Sequence, residues 1–338
     1  MSTIKDVAKY AGVSIATVSL VINNIPNVKP ETVQKLNDAI EACNFVPNLV
    51  ARNLKSEQTR TIGFLISDIA NSYFSTMAKD LELLLQKEGY EMMICSTDDD
   101  PAMERSYLKQ FLSNQVVGII LNTTGKNNDF IKNISKNTPV VLIERSIPFT
   151  SFSGDFIGAN NRAGIFNLAT HLLKLGHRKI GIINGNLNVS TGQERYLGFI
   201  EAMAQYDISI QSDYPLQYNA NSFLEHKGYE AVEYLLSQPQ TPTALIITNN
   251  TLSIGALKYL KQHKVRIPED ISIMCYGNIE NSELFFVDPA YTTLDPHTIA
   301  QKAYDYIITR INQSDLPNRE TIFESNLYLG ESVAPPKC

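Results

Sequence analysis

Cysteine is scarce and scattered in this chain: Cys43, Cys95, Cys275 and Cys338 form no CxxC pair and have no histidine cluster near them. That spacing argues against a zinc site or a disulfide framework and suits a reducing compartment. No apolar run approaches the roughly 18 residues of a membrane span. The N-terminus also lacks the basic-then-apolar order of an export signal, so the expectation is a cytoplasmic protein with no membrane partner. The GxSxG, HExxH, P-loop and GxGxxG signatures are missing too. The five histidines, His171, His177, His226, His263 and His297, have no acid or nucleophile at an informative spacing. No enzymatic activity, metal or cofactor is expected.

Positive charge is short overall, since the formal net charge is −6, and it is unevenly placed. Residues 1–60 hold seven Lys/Arg against five Asp/Glu, a net +2, which leaves −8 for the rest. Only the N-terminal part favours a polyanion, and weakly. A length of 338 residues and 43% hydrophobic content support about two or three domains.

The opening residues are more specific than the charge. Ile4, Val7, Ala8 and Ala11 fall at i, i+3, i+4 and i+7, with Thr3 and Asp6 in capping-box positions and Gly12 permitting a tight turn. Ser14 is a good N-cap for a second helix. On that helix Val18, Val21 and Ile22 share one face, while Ala16, Ser19, Leu20 and Asn23 share the other. A third helix follows Pro30, with Val33, Leu36, Ile40 and Cys43 pointing inward. Three short helices with a glycine turn between the first two describe a helix-turn-helix DNA reader; the plainer reading is a small helical subdomain. Residues 44–56, NFVPNLVARNLKS, weigh against that plainer reading. An apolar Leu54 beside Arg52 and Lys55 is what a minor-groove wedge requires, and a mere spacer would be rich in Gly and Ser.

Beyond residue 60, short apolar runs alternate with amphipathic helices. TIGFLI, EMMIC, VVGIIL and PVVLIE make one series; KIGII, ALII and ISIMCY make another, with helices over 193–206, 226–237 and 252–262. Such βαβ repetition implies two parallel sheets with helices on both faces and a ligand cleft at the carboxyl ends of the strands.

The segments TIKDVAKYAGVSIATVSLVINN, NFVPNLVARNLKS, IGFLISDIANSYFS, HLLKLGHRKIGII, ERYLGFIEAM, PTALIITNN, LSIGALKYL and VRIPEDISIMCYGN resemble, in order, the LacI/GalR family of bacterial transcription regulators. The resemblance covers essentially the whole chain. It implies an all-α helix-turn-helix head plus hinge helix, followed by a two-lobed α/β effector domain with parallel sheets, similar to periplasmic binding proteins. The implied divisions are a head over 1–46, a hinge helix and linker over 47–60, and an effector-binding and dimerisation domain over 61–338. Its N-lobe would take about 61–159 and 293–320, and its C-lobe about 160–292 and 321–338. The implied function is a sequence-specific repressor of carbohydrate-metabolism genes, acting as a homodimer on a pseudo-palindromic double-stranded operator and controlled by a small carbohydrate-derived effector. No leucine heptads follow residue 330, which favours a dimer over a tetramer. A ligand-independent or neutral-sugar-responsive repressor is the alternative; a solute-binding protein, the remoter one, would have an export signal and no reader head.

Carried over from the family, the DNA contacts are Thr3, Ile4, Ser14, Thr17, Ser19, Asn23, Asn27 and Thr32. Ile15, Ala16 and Leu20 would lie in the major groove, and Asn48, Arg52, Leu54 and Lys55 would come from the hinge. The implied effector positions are Tyr73, Phe74, Thr123, Thr124, Arg145, Thr191, Arg195 and Asn249. The chain departs from the family pattern at several of its positions. Leu20 stands where an arginine is usual, Gly277 where the family has an aspartate in a GYDN-like loop, Asn160 and Asn161 where it has Asp-Asn, and Gly330 where it has an arginine. Loss of pocket acids with Arg145 and Arg195 retained predicts an anionic effector, a sugar acid or sugar phosphate, over a neutral sugar.

Overall fold

A computed structural model describes residues 3–22, 28–43, 45, 59–211, 213–285 and 287–337. The chain forms two compact units, Met1–Thr59 and Arg60–Cys338. In the first, α1 (Ile4–Ala11) begins at Thr3, whose backbone N–H and hydroxyl both donate to the Asp6 carboxylate, at 2.8 and 2.7 Å. Those bonds hold the Asp6 carboxyl below its ordinary value. Gly12, at φ 62°, adopts the left-handed conformation that closes the helix, and α2 (Ile15–Ile22) starts three residues on from it. α3 (Pro30–Ala42) has proline in its first turn. Val7, Ala8, Ala11, Val18, Leu36 and Ala39 form the buried centre; of the residues expected inward, Ile40 and Cys43 pack half-buried at its edge and Val33 is half-buried.

The second unit contains two six-stranded sheets. Its first sheet comprises β1 (Thr61–Ile66), β2 (Glu91–Ser96), β3 (Gly118–Leu121), β4 (Val140–Ile143), β5 (Asp155–Ala159) and β11 (Glu320–Phe323), in the order β11-β5-β4-β3-β1-β2. Every pairing in it is parallel. Its second sheet comprises β6 (Ile180–Asn184), β7 (Gln217–Asn219), β8 (Ala244–Ile247), β9 (Ser272–Tyr276), β10 (Ala290–Thr293) and β12 (Asn326–Tyr328), ordered β12-β10-β9-β8-β6-β7. Only β12 runs antiparallel to its neighbour. Buried runs such as Val140–Ile143 and Ala244–Ile247 are apolar without alternation, as strands covered on both faces must be.

Helices α4 (Ser72–Lys87), α5 (Pro101–Ser113), α6 (Asn128–Ile134) and α11 (Pro296–Asn312) accompany the first sheet. Those accompanying the second are α7 (Asn161–Lys174), α8 (Ser190–Ala204), α9 (Glu225–Ser237) and α10 (Asn250–Gln262). The chain passes between lobes after Ala159, after Thr293 and again between Phe323 and Asn326. That last passage lies a few residues beyond the expected 320, because β11 continues its parallel pairing with β5 as far as Phe323 against Ala159. β5 leads the chain out of the first lobe, and α11 carries it back.

One buried carboxylate ties these late segments together. Asp155, wholly buried on β5, accepts from Arg310 Nη2 and Nε at 2.7 and 2.8 Å, and from Arg319 Nη2, Nε and backbone N–H at 2.8, 3.1 and 3.0 Å. Burial alone would raise its pKa. The two guanidinium groups outweigh burial and leave it lowered. In the other lobe the buried His177 pins the C-terminal tail through Nε2 to the Ala334 carbonyl, 2.9 Å away. Its role is structural, as a histidine just past a helix end suggests.

Candidate ligand cleft and nucleic-acid interface

On the head, α2 contains no charged residue, and it exposes Ile15, Ala16 and Leu20 together. Ile15 and Leu20 are 45% and 39% exposed, high for aliphatic side chains that the same helix could have turned inward beside Val18. The Ser14 hydroxyl accepts the Thr17 N–H at 3.1 Å and bonds the Thr17 hydroxyl at 2.9 Å, so both have a capping role independent of any ligand. Ser19 and Thr32 are half-buried, and the Thr3 hydroxyl is engaged by Asp6. Ile4 is partly buried and packs on the head's core. Asn23, Asn27, Asn48, Arg52, Leu54 and Lys55 lie outside the described residues. Tyr10, 66% exposed at the end of α1, was not singled out in the sequence because an aromatic there breaks no pattern.

Between the two lobes lies a cleft of about 670 Å³, at the carboxyl ends of the strands where a doubly wound sheet places its ligands. Tyr73, Phe74, Arg145, Thr191, Arg195 and Asn249 line it. Thr123 and Thr124 do not; this is a correction. The Thr124 N–H and hydroxyl donate to the buried Glu104 carboxylate at 2.8 and 2.6 Å, and the Thr123 hydroxyl accepts the Gly125 N–H at 3.0 Å. Both threonines stabilise the loop behind the cleft wall.

Glu144 is the lining residue that the sequence reading missed. It directly follows β4 and adopts φ 60°, a left-handed conformation that costs a non-glycine residue of order 1 kcal/mol or more and recurs at functional sites. Tyr73 donates its hydroxyl to Glu144 Oε1 at 2.6 Å. Burial raises the Glu144 carboxyl above its ordinary value, against the opposing pull of the Tyr73 hydroxyl, Arg195 and Arg145. Burial likewise lifts Tyr73 well above 10, so the phenol stays a donor. Its position at a strand's carboxyl end was the available signal.

Arg195, 7% exposed on α8, donates from Nε to Asn161 Oδ1 at 2.7 Å and from Nη1 to the Thr248 carbonyl at 2.8 Å. Its guanidinium lies 3.8 Å over the Tyr276 ring. Arg145 forms a two-point ion pair with Asp99, at 2.5 and 3.2 Å, and donates to the Thr123 carbonyl at 3.1 Å. Arg145 is thus paired with a carboxylate, whereas Arg195 is held by an amide oxygen and a carbonyl and acts on Glu144 only as a nearby charge. Asp68, Asp98, Glu280 and Asp295 also line the cleft. Loss of pocket acids, the premise for an anionic effector, does not hold.

The departures from the family pattern have backbone reasons. Gly277 sits at φ 96°, which L side chains rarely adopt, and a Cβ at Gly330 would lie 2.3 Å from the Asp288 carbonyl oxygen. Asn160 caps α7 by accepting the Ala163 N–H at 3.1 Å and donates to Glu324 at 3.0 Å. Asn161, buried behind it, orients Arg195. Among the described residues no cluster of histidine, cysteine and carboxylate side chains is arranged to hold a metal ion, and no helix is long and apolar enough to cross a membrane.

A small helical reader joined to a two-lobed domain with an interlobe cleft defines a ligand-domain transcription regulator. The particular family follows from residues 59–328, which match the model for periplasmic binding proteins and the sugar-binding domain of the LacI family, and from residues 3–48, which match the model for bacterial regulatory proteins of the lacI family. The chain belongs to the LacI family: it is a DNA-binding transcriptional repressor and not an enzyme. It is 33% identical over 325 residues to the HTH-type transcriptional repressor PurR of Aliivibrio salmonicida, covering 96% of each chain. To PurR of Mannheimia succiniciproducens it is 32% identical, covering 98% of this chain and 99% of the relative. Among solved structures it is similar to the lac repressor dimer bound to operator and an anti-inducer, with a TM-score of 0.83, 22% identity and coverage of 98% and 99%. The complex of the regulator CelR with cellobiose gives 0.72, also at 22% identity, with coverage of 98% and 100%. At that identity these two structures speak for the fold. The relatives' names do not carry the expectation of carbohydrate-metabolism targets.

Proposed function

We propose that this repressor acts in the cytoplasm as a homodimer on a pseudo-palindromic operator, and that an uncharged, polyhydroxylated ring compound in the cleft, a neutral sugar in the first instance, sets its operator affinity. The charge balance of the cleft carries this reading. With Arg145 held by Asp99 and Arg195 facing Glu144, an anion would meet no surplus positive charge. A sugar's hydroxyls both donate and accept, and its ring faces are apolar. Those properties match the Glu144 acceptor, the Arg195 donors and the aromatic walls of Tyr73, Phe74 and Tyr276. The earlier preference for a sugar acid or sugar phosphate gives way on this point.

Thermal melting of the full chain with neutral pentoses, hexoses and disaccharides, nucleobases, hexuronates and sugar phosphates tests the choice. A neutral ring compound at a hundred times its Kd should add about 2.7 kcal/mol and raise the melting temperature by several degrees. Stabilisation confined to the acids and phosphates would overturn the reading.

The exposed face of α2 supports a second expectation. An arginine at position 20 would bond guanine in two places, a contact worth about 1–3 kcal/mol of discrimination, and Leu20 offers only an apolar surface. Beside Ile15 and Ala16 it favours thymine methyl groups and DNA shape. Selection from a random operator library should return half-sites rich in A·T opposite these residues, and Leu20→Arg should move the selected base to guanine. A strict guanine preference with Leu20 in place would contradict the assignment.

A further inference from the structure

Two side chains at opposite lips of the cleft meet directly. Asn71 is the N-cap of α4 in the first lobe, and Asn250 is the first residue of α10 in the second. Asn250 Nδ2 donates to Asn71 Oδ1 at 2.9 Å, and Asn71 Nδ2 donates back to Asn250 Oδ1 at 3.3 Å and to Thr251 Oγ1 at 3.4 Å. Asn71 Oδ1 also accepts the Tyr73 N–H at 3.1 Å, which fixes the amide's orientation and turns its NH2 toward the other lobe. A second bridge runs from the Ser146 N–H, just past β4, to Ser190 Oγ at the start of α8, 3.0 Å away.

Gly277 belongs to the same arrangement. A Cβ there would stand 3.0 Å from Asn250 Cβ and 3.3 Å from its backbone nitrogen, tighter than ordinary contact. Any side chain at 277, the aspartate of the family pattern included, would press on the residue that reaches Asn71.

We infer that Asn71, Asn250 and Gly277 form a clasp that holds the two lobes together before any ligand is bound, with the bare α-carbon at 277 as the condition for it. The inference rests on the cleft being the regulatory site. It adds that closure is built into the protein and that the effector acts on a preformed closed state. Part of the ordering that a ligand would otherwise impose is already in place, so the open form is the minor one.

Hydrogen exchange on the full chain, without ligand or DNA, tests the clasp through the Ser146 amide, whose acceptor lies on the other lobe. Asn71→Ser keeps the capping oxygen and shortens the reach; Asn250→Ala removes the partner. Each should speed exchange at Ser146 about fivefold, the loss expected for one or two neutral hydrogen bonds, with β1 amides unchanged. The double variant should exchange no faster than the faster single variant, because one bridge is lost in all three. Gly277→Ala should act in the same direction. Unchanged exchange at Ser146 in both single variants, or effects that multiply in the double, would overturn the inference. No ligand enters this experiment, so its failure is separable from failure of the ligand assignment.

Discussion

Replacing Asp155 by alanine is expected to cost about 3–5 kcal/mol and to leave the ligand domain largely unfolded at 37 °C. The carboxylate is wholly buried between Arg310, itself 2% exposed, and Arg319. Removing it takes the counter-charge from both guanidinium groups, leaving Arg310 only the Leu316 and Pro317 carbonyls and Arg319 only the Tyr306 carbonyl. It also loosens the entry to β11, since the Arg319 backbone N–H donates to the same carboxylate as both side chains. Urea denaturation of the full chain measures the effect. A loss under about 1 kcal/mol would mean that water or other acceptors replace the carboxylate. Acid exposes the same group. Because its folded pKa lies below the ordinary 3.8, the stabilisation is complete above pH 3.8 and decays as pH falls from there through the lowered folded value. An Asp155→Asn variant should lack that acid-dependent component.

Replacing Arg195 by methionine should abolish the ligand-induced rise in melting temperature, with affinity reduced by about 100-fold or more. The aliphatic length is kept, so packing on Tyr276 survives in part, but the Asn161 oxygen and Thr248 carbonyl lose their donor and Glu144 loses its facing cation. Losing a charge-assisted contact and leaving its partner buried costs about 2–5 kcal/mol in comparable interfaces. Isothermal titration with whichever compound the melting panel identifies provides the number. Retention of wild-type affinity would remove Arg195 from the binding site. Operator binding without ligand should be unchanged in this variant, which separates loss of the site from loss of the fold.

The head was legible because its signals are local. Thr3 with Asp6, Gly12, Ser14 and Pro30 each act within a few residues, and the helices begin and end where those residues place them. The alternation of strand and helix was equally plain in runs such as TIGFLI and ALII, and the helices expected over 226–237 and 252–262 form as Glu225–Ser237 and Asn250–Gln262. β5 and α11 escaped notice for different reasons. DFIGA is short and carries the buried Asp155, whose partners lie 155 and 164 residues away. α11 had a readable start, Asp295 capping the His297 and Thr298 N–H groups ahead of Pro296, but a mixed face.

The cleft was legible as a place and only partly as chemistry. Tyr73, Phe74, Arg145, Thr191, Arg195 and Asn249 come together at the strand ends. What spacing could not show was pairing across distance: Asp99 lies 46 residues before Arg145 and cancels its charge, so counting acids along the chain predicted the wrong balance. Glu144 was overlooked beside Arg145 for want of a motif. The clasp between Asn71 and Asn250 spans 179 residues and depends on the backbone geometry of a third position. Contacts of that kind are set by the closing of two lobes, which no local period records.

Under the proposed function the two units exchange free energy, so operator and ligand should not bind independently. Titrating an operator fragment into the full chain, with and without a saturating amount of the ligand found by melting, measures that exchange directly. A change in operator affinity of about 5- to 150-fold, matched by an equal change in ligand affinity when operator is present, is the predicted result. Identical operator curves with the cleft filled and empty would contradict it.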